Sequence, residues 1–298
     1  MGRLARLITW TTLLLGGVCA LADSPTSFPP LRDRFDPSLQ DQLERTLAEL
    51  GLKPAVQDGR LSVALVDLSD VQAPRVAAVN GDNMLYAASL PKIAILLGAF
   101  VEIERGEMRL DPRTRVSLTK MIRFSSNLEA TRVLNRVGGL RLAEILQSKR
   151  FRLYDPLVNG GLWVGKAYGR SPAFRRDPLH NLSHGATAMQ TARFYYLLET
   201  ERLIEPGLCR EMKRILSKSG INHKFVKGLR EARPGAKMYR KSGSWRNWHS
   251  DSALVEAGRY KYIVVALTQH LDGTKWLTEL IVPLHDLIVP TRFAALDK

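Results

Sequence analysis

The order of the predicted elements along the chain is the feature that most constrains its fold. Apolar residues that alternate with small or polar ones predict two strands early in the sequence, over residues 61–67 and 75–80. Three more are predicted late, over residues 238–244, 253–256 and 260–268. Because the segment between them has helical periodicity, the strands must form one sheet from parts of the chain that are far apart in sequence.

Helical spacing of apolar residues predicts most of the remaining elements. Leucines in steps of three and four place the first helix before Gly51, a residue suited to the end of a helix. The last predicted helix contains Pro283, which counts against it. The predicted helices cover residues 37–50, 89–104, 118–138, 141–149, 187–203 and 276–288.

The first 22 residues have the layout of a secretory signal. Two arginines precede an uncharged, largely apolar run over residues 7–18, and Ala20 and Ala22 supply small residues for a peptidase. The run is too short for a membrane-spanning anchor. Cys19 raises the alternative of a lipoprotein, although Val18 is larger than the residue that usually precedes a lipidated cysteine. We expect cleavage, export to a bacterial periplasm, a tether over residues 23–36 and a single domain over 37–298.

The charge balance is strongly basic, with 44 Lys and Arg against 29 Asp and Glu and a formal net charge of +15. Such a balance favours a nucleic-acid partner. Export argues against it, because chromosomal DNA and ribosomes are absent from the periplasm, and anionic polymers of the cell envelope become the expected partners. Signal cleavage would leave Cys209 as the only cysteine and so exclude an intramolecular disulfide.

Ser89 and Lys92 stand where a loop becomes a predicted helix. A lysine three residues after a serine places its amine one turn above the hydroxyl, within reach of a hydrogen bond. The helix N-terminus also places partial positive charge where an oxyanion would form. Taken alone, the pair fits equally a capping serine and a surface lysine.

Two further motifs favour a catalytic interpretation. Ser125, Ser126 and Asn127 lie at the edge of a predicted helix. Lys241 is followed by Ser242, Gly243 and Ser244 in a predicted strand, where the glycine lets a ligand approach the backbone. The order of the three motifs, and their positions on helix start, helix edge and strand, are hard to obtain by chance.

With these motifs the chain resembles the penicillin-recognising serine acyltransferases, and within them the class A β-lactamases. Ser126 stands where that family has Asp, and Ser242 where it has Thr. The resemblance extends over nearly the whole chain after the signal. It implies an α+β fold in which an antiparallel sheet is flanked by helices and joined to a helical lobe. The sheet lobe would comprise about residues 37–88 and 225–298, and the helical lobe about 89–224.

The resemblance also implies a role for each motif residue. Ser89 would be the nucleophile, and Lys92 its base or proton relay, which requires a lowered pKa. Ser125 would pass a proton between Lys92 and Lys241, and Lys241 would attract a substrate carboxylate. The residues implied to bind substrate are Asn127, Ser242, Gly243 and Ser244, with the backbone N–H groups of Ser89 and Ser244 forming the oxyanion hole.

Beyond the strand motif, Arg246 and His249 alternate with two tryptophans. These side chains could recognise a carboxylate or stack on a ring, and a surface-packed strand end explains them as well. The glycine-rich segment 160–165 has no counterpart in the family; it could line the cleft or form a lid-like insertion.

Removal of the acyl group by water separates β-lactamases from penicillin-binding peptidases. Class A enzymes hold that water with a glutamate that opens a Glu-Pro-x-x-Asn stretch, whereas here Asp177 takes the first place and Asn181 the last. Asp177 is either a shortened water-holding group or an exposed loop acid. His180 and His184 lack the acid of a zinc-binding helix, so neither a metal nor another cofactor is expected.

These observations predict an exported serine hydrolase that acts on an amide or lactam through an acyl-enzyme on Ser89. A D-Ala-D-Ala peptidase and a non-catalytic cell-wall-binding relative are the alternatives. The expected substrate carries a carboxylate, as a β-lactam or a peptidoglycan peptide does, and neither nucleic acid nor, after signal cleavage, a membrane is an expected partner.

Overall fold

The computed structural model describes residues 28–290, and the predicted signal segment 1–22 lies outside them. The main sheet has five strands in the order β2-β1-β10-β9-β8, all paired antiparallel. These strands are β1 (Leu61–Asp67), β2 (Arg75–Val79), β8 (Lys237–Trp245), β9 (Trp248–Ala257) and β10 (Tyr260–Gln269). Five short strands form two small sheets: β3 (Leu85–Tyr86), β4 (Tyr154–Asp155), β5 (Gly160–Gly161), β6 (Trp163–Val164) and β7 (His184–Ala186).

Within residues 28–290 the chain forms ten α-helices. They are α1 (Pro37–Glu49), α2 (Lys53–Gln57), α3 (Lys92–Glu104), α4 (Pro112–Arg123), α5 (Asn127–Val137), α6 (Gly139–Gln147), α7 (Ala188–Glu199), α8 (Pro206–Leu216), α9 (Phe225–Ala232) and α10 (Gly273–Ile288). Pro283 lies inside α10 without ending it.

The sheet joins the two ends of the described chain, as the order of elements predicted. β1 pairs with β10 along its whole length, from Leu61 opposite Thr268 to Asp67 opposite Tyr262. Every residue of β1 is buried, because helices cover both faces of the sheet. Val63 and Leu65 face the core shared with α1 and α10, whereas Ala64 and Val66 face the core of the helical lobe. The predicted α+β fold with an antiparallel sheet flanked by helices is confirmed.

The predicted tether differs from the structure in its second half. Leu31 begins a short 3₁₀ helix and is 3% exposed. The guanidinium of Arg32 donates to both carboxylate oxygens of Asp82 at 2.8 and 2.6 Å. The backbone from Arg34 to Asp36 hydrogen-bonds Val76 of β2. Residues 28–36 therefore pack on the domain instead of leading to it.

The predicted helix over residues 118–138 is interrupted at the site-bearing motif. Ser125 has φ 56°, in the left-handed region, and this ends the run of helical residues. Ser126 then caps α5 by accepting a hydrogen bond from the N–H of Glu129 at 3.2 Å. The result is two helices, α4 and α5, with Ser125 in the turn between them.

A buried ion pair connects the two strands at the β8 edge of the sheet. Arg240 and Asp251 have side chains that are 1% and 0% exposed, and the guanidinium donates to both carboxylate oxygens at 2.7 and 2.6 Å. Arg240 also donates to the carbonyl of Ile221, and Asp251 accepts from the N–H of Phe225 at the start of α9. The pair therefore holds the loop before α9 against the sheet.

We expect Asp251→Asn to destabilise the fold by about 3–5 kcal/mol, because it leaves the charge of Arg240 buried without a partner. Equilibrium unfolding in urea measures the change. The control is Glu279→Gln, which removes an exposed contact with Lys275 at 3.9 Å and should change the free energy of unfolding by less than about 0.5 kcal/mol. Equally small changes in both variants would contradict the assigned role of the pair.

Candidate active site

The turn before α3 presents Ser89 beside a free backbone donor. Ala88, which precedes it, has φ 50°, and the N–H of Leu90 closes the turn on the carbonyl of Ala87 at 3.0 Å. Ser89 is half-buried. Among residues 28–290 its own N–H has no hydrogen-bond acceptor, so this donor points away from any internal partner. A hydroxyl with a free N–H on the same residue suits a nucleophile whose product is an oxyanion.

The backbone of β8 lies directly against this turn at Gly243. A Cβ on Gly243 would lie 2.2 Å from the carbonyl oxygen of Ala87 and 2.7 Å from the backbone nitrogen of Ser89. Ser250 of β9 fixes the same turn through a hydrogen bond from its Oγ to the carbonyl of Ala87 at 2.9 Å. Only glycine fits at position 243. The sequence predicted a close approach to this backbone, and the group that approaches it is the turn that carries Ser89.

Lys92 is completely buried on the first turn of α3. Its Nζ donates to the Ser125 carbonyl at 2.6 Å, to Asn127 Oδ1 at 2.7 Å and to Ser125 Oγ at 3.3 Å. Burial lowers the pKa of this amine to about 7. Lys92 is therefore poised near neutral pH between its charged and neutral forms, as a general base must be.

Lys241 of β8 approaches the same serine from the other side. Its Nζ donates to Ser125 Oγ at 3.0 Å and to the carbonyl of Ser242 at 2.5 Å, and the residue is 1% exposed. Burial lowers the pKa of Lys241 well below its usual value, and the positive charges of Lys92 and Arg240 lower it further. Ser125 Oγ thus lies between two buried amines, as the motif predicted.

One predicted hydrogen bond is not formed among the described residues. The spacing of Ser89 and Lys92 led us to expect a hydrogen bond between them, but within the described chain the Ser89 hydroxyl has no hydrogen-bond partner. The amine of Lys92 is directed instead to Ser125 and Asn127, because the turn before α5 offers it a carbonyl and an amide oxygen. Asn127, predicted to bind substrate, here orients the amine.

Tyr168 is a site residue that the sequence motifs did not indicate. Lys92 Nζ lies 4.4 Å from the centre of its ring, and its hydroxyl donates to the carbonyl of Ala88 at 3.2 Å. Burial raises the pKa of this phenol well above its usual value, so it remains neutral. Tyr168 covers the amine with an aromatic face and ties the segment after β6 to the turn that carries Ser89.

The loop before α9 supplies two more groups outside the motifs. Lys224 is buried, with φ 52°, and its Nζ donates to the carbonyl of Gly243 at 2.5 Å and to Ser244 Oγ at 2.8 Å. Burial lowers its pKa to about 8. His223 Nε2 is 3.1 Å from Ser242 Oγ, and burial lowers the pKa of that imidazole to about 4. Both hydroxyls of the strand motif are thereby held by this loop.

Asp177 is not part of this cluster. Its carboxylate accepts hydrogen bonds from the hydroxyl of Tyr154 and from the N–H groups of Leu179 and His180. Asp177 is 2% exposed, so the description as an exposed loop acid is wrong. Within residues 28–290 none of its hydrogen bonds or ion pairs reaches Ser89 or Lys92. Its hydrogen bonds to Leu179 and His180 close the loop in which it lies.

The two cations predicted beyond the strand motif have separate locations. The guanidinium of Arg246 lies 4.4 Å from the ring of Trp245 in the exposed turn between β8 and β9. His249 instead faces the start of α10, where its Nδ1 is 3.2 Å from Thr274 Oγ1. Burial lowers the pKa of His249 to about 4, so it is neutral at pH 7. His249 is the partner of Ser244 in the register of β8 and β9, but its imidazole hydrogen-bonds α10 and not the catalytic cluster.

The glycine-rich segment is core and not a lid. Gly161 and Gly165 are buried, and a Cβ on either would lie 2.0 Å or less from a backbone oxygen. Trp163 between them is 0% exposed and packs against Tyr154, with ring centres 4.7 Å apart.

His180 and His184 contact separate partners, Asn159 Oδ1 and the carbonyl of Lys166.

Comparison with known proteins agrees with this geometry. The chain matches the sequence profile of the β-lactamase enzyme family over residues 42–121 and 113–288. No curated protein sequence matches it. Among solved structures it is similar to PBP-A, with 16% identity, a TM-score of 0.64, and coverage of 88% of this chain and 98% of that one. A β-lactamase from Sphaerobacter thermophilus has 17% identity, a TM-score of 0.63 and coverage of 86% and 96%. An ancestral class A β-lactamase has 18% identity, a TM-score of 0.62 and coverage of 84% and 100%.

The profile match extends over most of the chain, so the protein belongs to the β-lactamase enzyme family. It is a serine hydrolase of the β-lactamase or penicillin-binding type.

We expect Gly243→Ala to slow covalent labelling by a fluorescent penicillin by about 100-fold, because the added Cβ displaces the turn that carries Ser89. Gel fluorescence over time measures the labelling rate. The matched control is Gly235→Ala, where an added Cβ meets no heavy atom within 4 Å. A Gly243→Ala enzyme that labels as fast as the control would show that the close approach is unimportant.

Proposed function

We propose that the protein is an exported acyl-transferring hydrolase that forms an acyl-enzyme on Ser89 and releases the acyl group slowly. It would behave as a penicillin-binding peptidase more than as a fast β-lactamase. The observation that carries the proposal is the position of Ser125 Oγ, 3.3 Å from Lys92 Nζ and 3.0 Å from Lys241 Nζ. A hydroxyl between two amines of lowered pKa can pass protons in either direction.

In the proposed acylation, the neutral amine of Lys92 accepts the proton of Ser89 as its Oγ attacks an amide or lactam carbonyl. A small rotation of the Ser89 side chain is required, since its hydroxyl and the amine are not hydrogen-bonded beforehand. The free N–H of Ser89 then donates to the oxyanion. Ser125 returns the proton to the departing nitrogen, and the carbonyl carbon is left bonded to Ser89.

Positive charge around the site supports a substrate that carries a carboxylate. Lys92, Lys241, Lys224 and Arg240 are buried within this region, and among these four only Arg240 pairs with a carboxylate of the described residues, that of Asp251. An incoming carboxylate would favour the protonated form of Lys241, the residue expected to attract it. A β-lactam and a peptidoglycan peptide both meet that requirement, and a nucleic acid is not required to explain these cations.

Slow deacylation follows from the surroundings of Lys92. Hydrolysis of the acyl-enzyme needs a base that activates water. Asp177 is held by Tyr154 and by its own loop, and the ring of Tyr168 covers the amine. Among the described residues no carboxylate hydrogen-bonds Ser89, Lys92 or Ser125. A variant of PBP-A has been captured as an acyl-enzyme with penicillin G, which makes penicillin a suitable probe.

Periplasmic location remains part of the proposal and rests on the layout of residues 1–22. Within residues 28–290 no helix has the length and apolar character needed to cross a bilayer.

Incubation with penicillin G followed by intact-protein mass spectrometry tests the reaction. We expect one penicilloyl adduct that persists after free penicillin is removed, and no adduct on Ser89→Ala. Rapid turnover without a lasting adduct would instead indicate a β-lactamase. Failure of both penicillin and a D-Ala-D-Ala peptide to react would contradict the proposed function.

The companion variant Asp177→Asn separates a structural acid from a water-holding one. We expect the adduct to decay within about twofold of the wild-type rate. We also expect a lower midpoint of unfolding, because the carboxylate accepts three hydrogen bonds. A large decrease in the decay rate alone would restore Asp177 to the catalytic group.

The acylation rate should depend on pH through Lys92. The neutral amine is the base, so the rate should rise about tenfold per pH unit below pH 7 and become constant above it. Stopped-flow measurement with a chromogenic cephalosporin between about pH 5 and 9 gives the profile. Lys92→Gln should react far more slowly and lack the inflection near 7. An inflection that survives this substitution would assign the titration to another group.

A further inference from the structure

A second concave surface lies away from the catalytic cluster, between α8, α9 and the beginning of β8. It encloses about 620 Å³. Six of its lining residues are cations, and none is acidic: Arg210, Lys213, Arg214, Lys218, Arg230 and Lys237. We call this surface the basic groove. Neither the motifs nor the proposed reaction uses it.

The cations of the basic groove fall into two groups. Arg210, Lys213 and Arg214 pair with glutamates that are not part of the groove lining. Lys218, Arg230 and Lys237 are exposed, and within residues 28–290 they form no ion pair. Unpaired like charges that converge on one cavity repel each other, and an anionic ligand would relieve that repulsion.

The floor of the groove is mainly apolar, with Val226, Pro234, Ala236, Met238 and Tyr239 among its lining residues. A small inorganic anion would leave this surface uncovered. A sugar ring has an apolar face of C–H groups that packs on such side chains, aromatic ones above all. The combination of an apolar floor and a cationic rim therefore fits a ligand that alternates rings with charges.

The cations are also spaced for a chain. Arg210 and Arg214 are one helical turn apart on α8, about 6 Å, and Lys218 follows just after the end of that helix. Arg230 of α9 and Lys237 of β8 line the same groove. Repeated positive charges along a groove suit a polymer with repeated negative charges better than a single anion.

We propose that the basic groove binds an acidic glycan chain, with its carboxylate, sulfate or phosphate groups on the cations and its sugar rings on the apolar floor. The groove shares β8 with the catalytic cluster: Lys237 and Lys241 are four residues apart on the strand, about 13 Å. A glycan in the groove would therefore lie beside the active site without entering it. The inference does not depend on the proposed reaction.

Isothermal titration calorimetry with a heparin-derived hexasaccharide tests this assignment on the full chain. The groove variant is Lys218→Glu/Arg230→Glu/Lys237→Glu, and the charge-matched control is Arg45→Glu/Lys53→Glu/Arg113→Glu, three exposed cations on α1, α2 and α4. We expect the groove variant to bind about tenfold more weakly or worse, and the control to bind within about threefold of wild type. Thermal unfolding midpoints establish that both variants are folded.

Further ligands distinguish the remaining interpretations. Neutral maltohexaose should not bind, and added salt should weaken binding of the hexasaccharide less in the groove variant than in wild type, because fewer ion pairs remain to be screened. Equal losses in both triple variants would reduce the effect to overall charge and overturn the proposal. Binding of inorganic tripolyphosphate but not of the hexasaccharide would overturn the glycan assignment. The glycan assignment would also be overturned if the wild-type protein self-associates and binds no hexasaccharide while the groove variant is monomeric.

Discussion

The catalytic strand keeps its position because of one buried ion pair. Arg240 and Asp251 are removed from water together, at a desolvation cost of several kcal/mol for each charge. The remaining donors and acceptors of the pair are used on the loop over residues 219–223 and on the start of α9. That loop leads to Lys224, which donates to the carbonyl of Gly243, the residue of β8 that lies against the serine turn. The ion pair is therefore connected to the site through the loop and through β8.

The ion pair lies beside several buried amines. Burial already disfavours the charged forms of Lys92 and Lys241, and the charge of Lys92 makes protonation of Lys241 harder. The site thus obtains a neutral amine at neutral pH from crowding and desolvation, with no carboxylate among the described contacts of these lysines. A carboxylate placed beside Lys92 would raise its pKa again. The lack of one favours the neutral form of Lys92, which the proposed acylation requires.

Local sequence patterns predicted much of the fold and the central residues of the site. The bounds of β1 were predictable because apolar residues fill a short segment between turn signals, and Ser89, Lys92, Ser125 and Lys241 were predictable from the resemblance of their motifs to a known family. Asp177 was not, because the group that engages it, Tyr154, lies 23 residues earlier and is brought close only by folding.

Other residues were hidden from sequence reasoning for similar reasons. His249 alternates with cleft residues in the sequence, yet its side chain packs on Gly273 and Thr274 of α10. Tyr168 and Lys224 belong to no motif and reach the site from irregular segments. The helix α9 is only eight residues long and follows a residue in the left-handed region, so too few residues show the helical spacing for it to be recognised in the sequence. In each case the deciding contact comes from another part of the chain.

The left-handed conformation of Ala88 has a consequence for the energetics of recognition. A non-glycine residue held there carries a strain of about 1–3 kcal/mol, which persists only because its neighbours fix it. Here the fixing contacts are the hydrogen bonds from Ser250 to Ala87 and from Tyr168 to Ala88. The strain of this turn is therefore offset by other contacts when the chain folds, before any substrate binds. A substrate therefore meets a backbone turn that is already formed, and only the side chain of Ser89 still has to rotate toward Lys92.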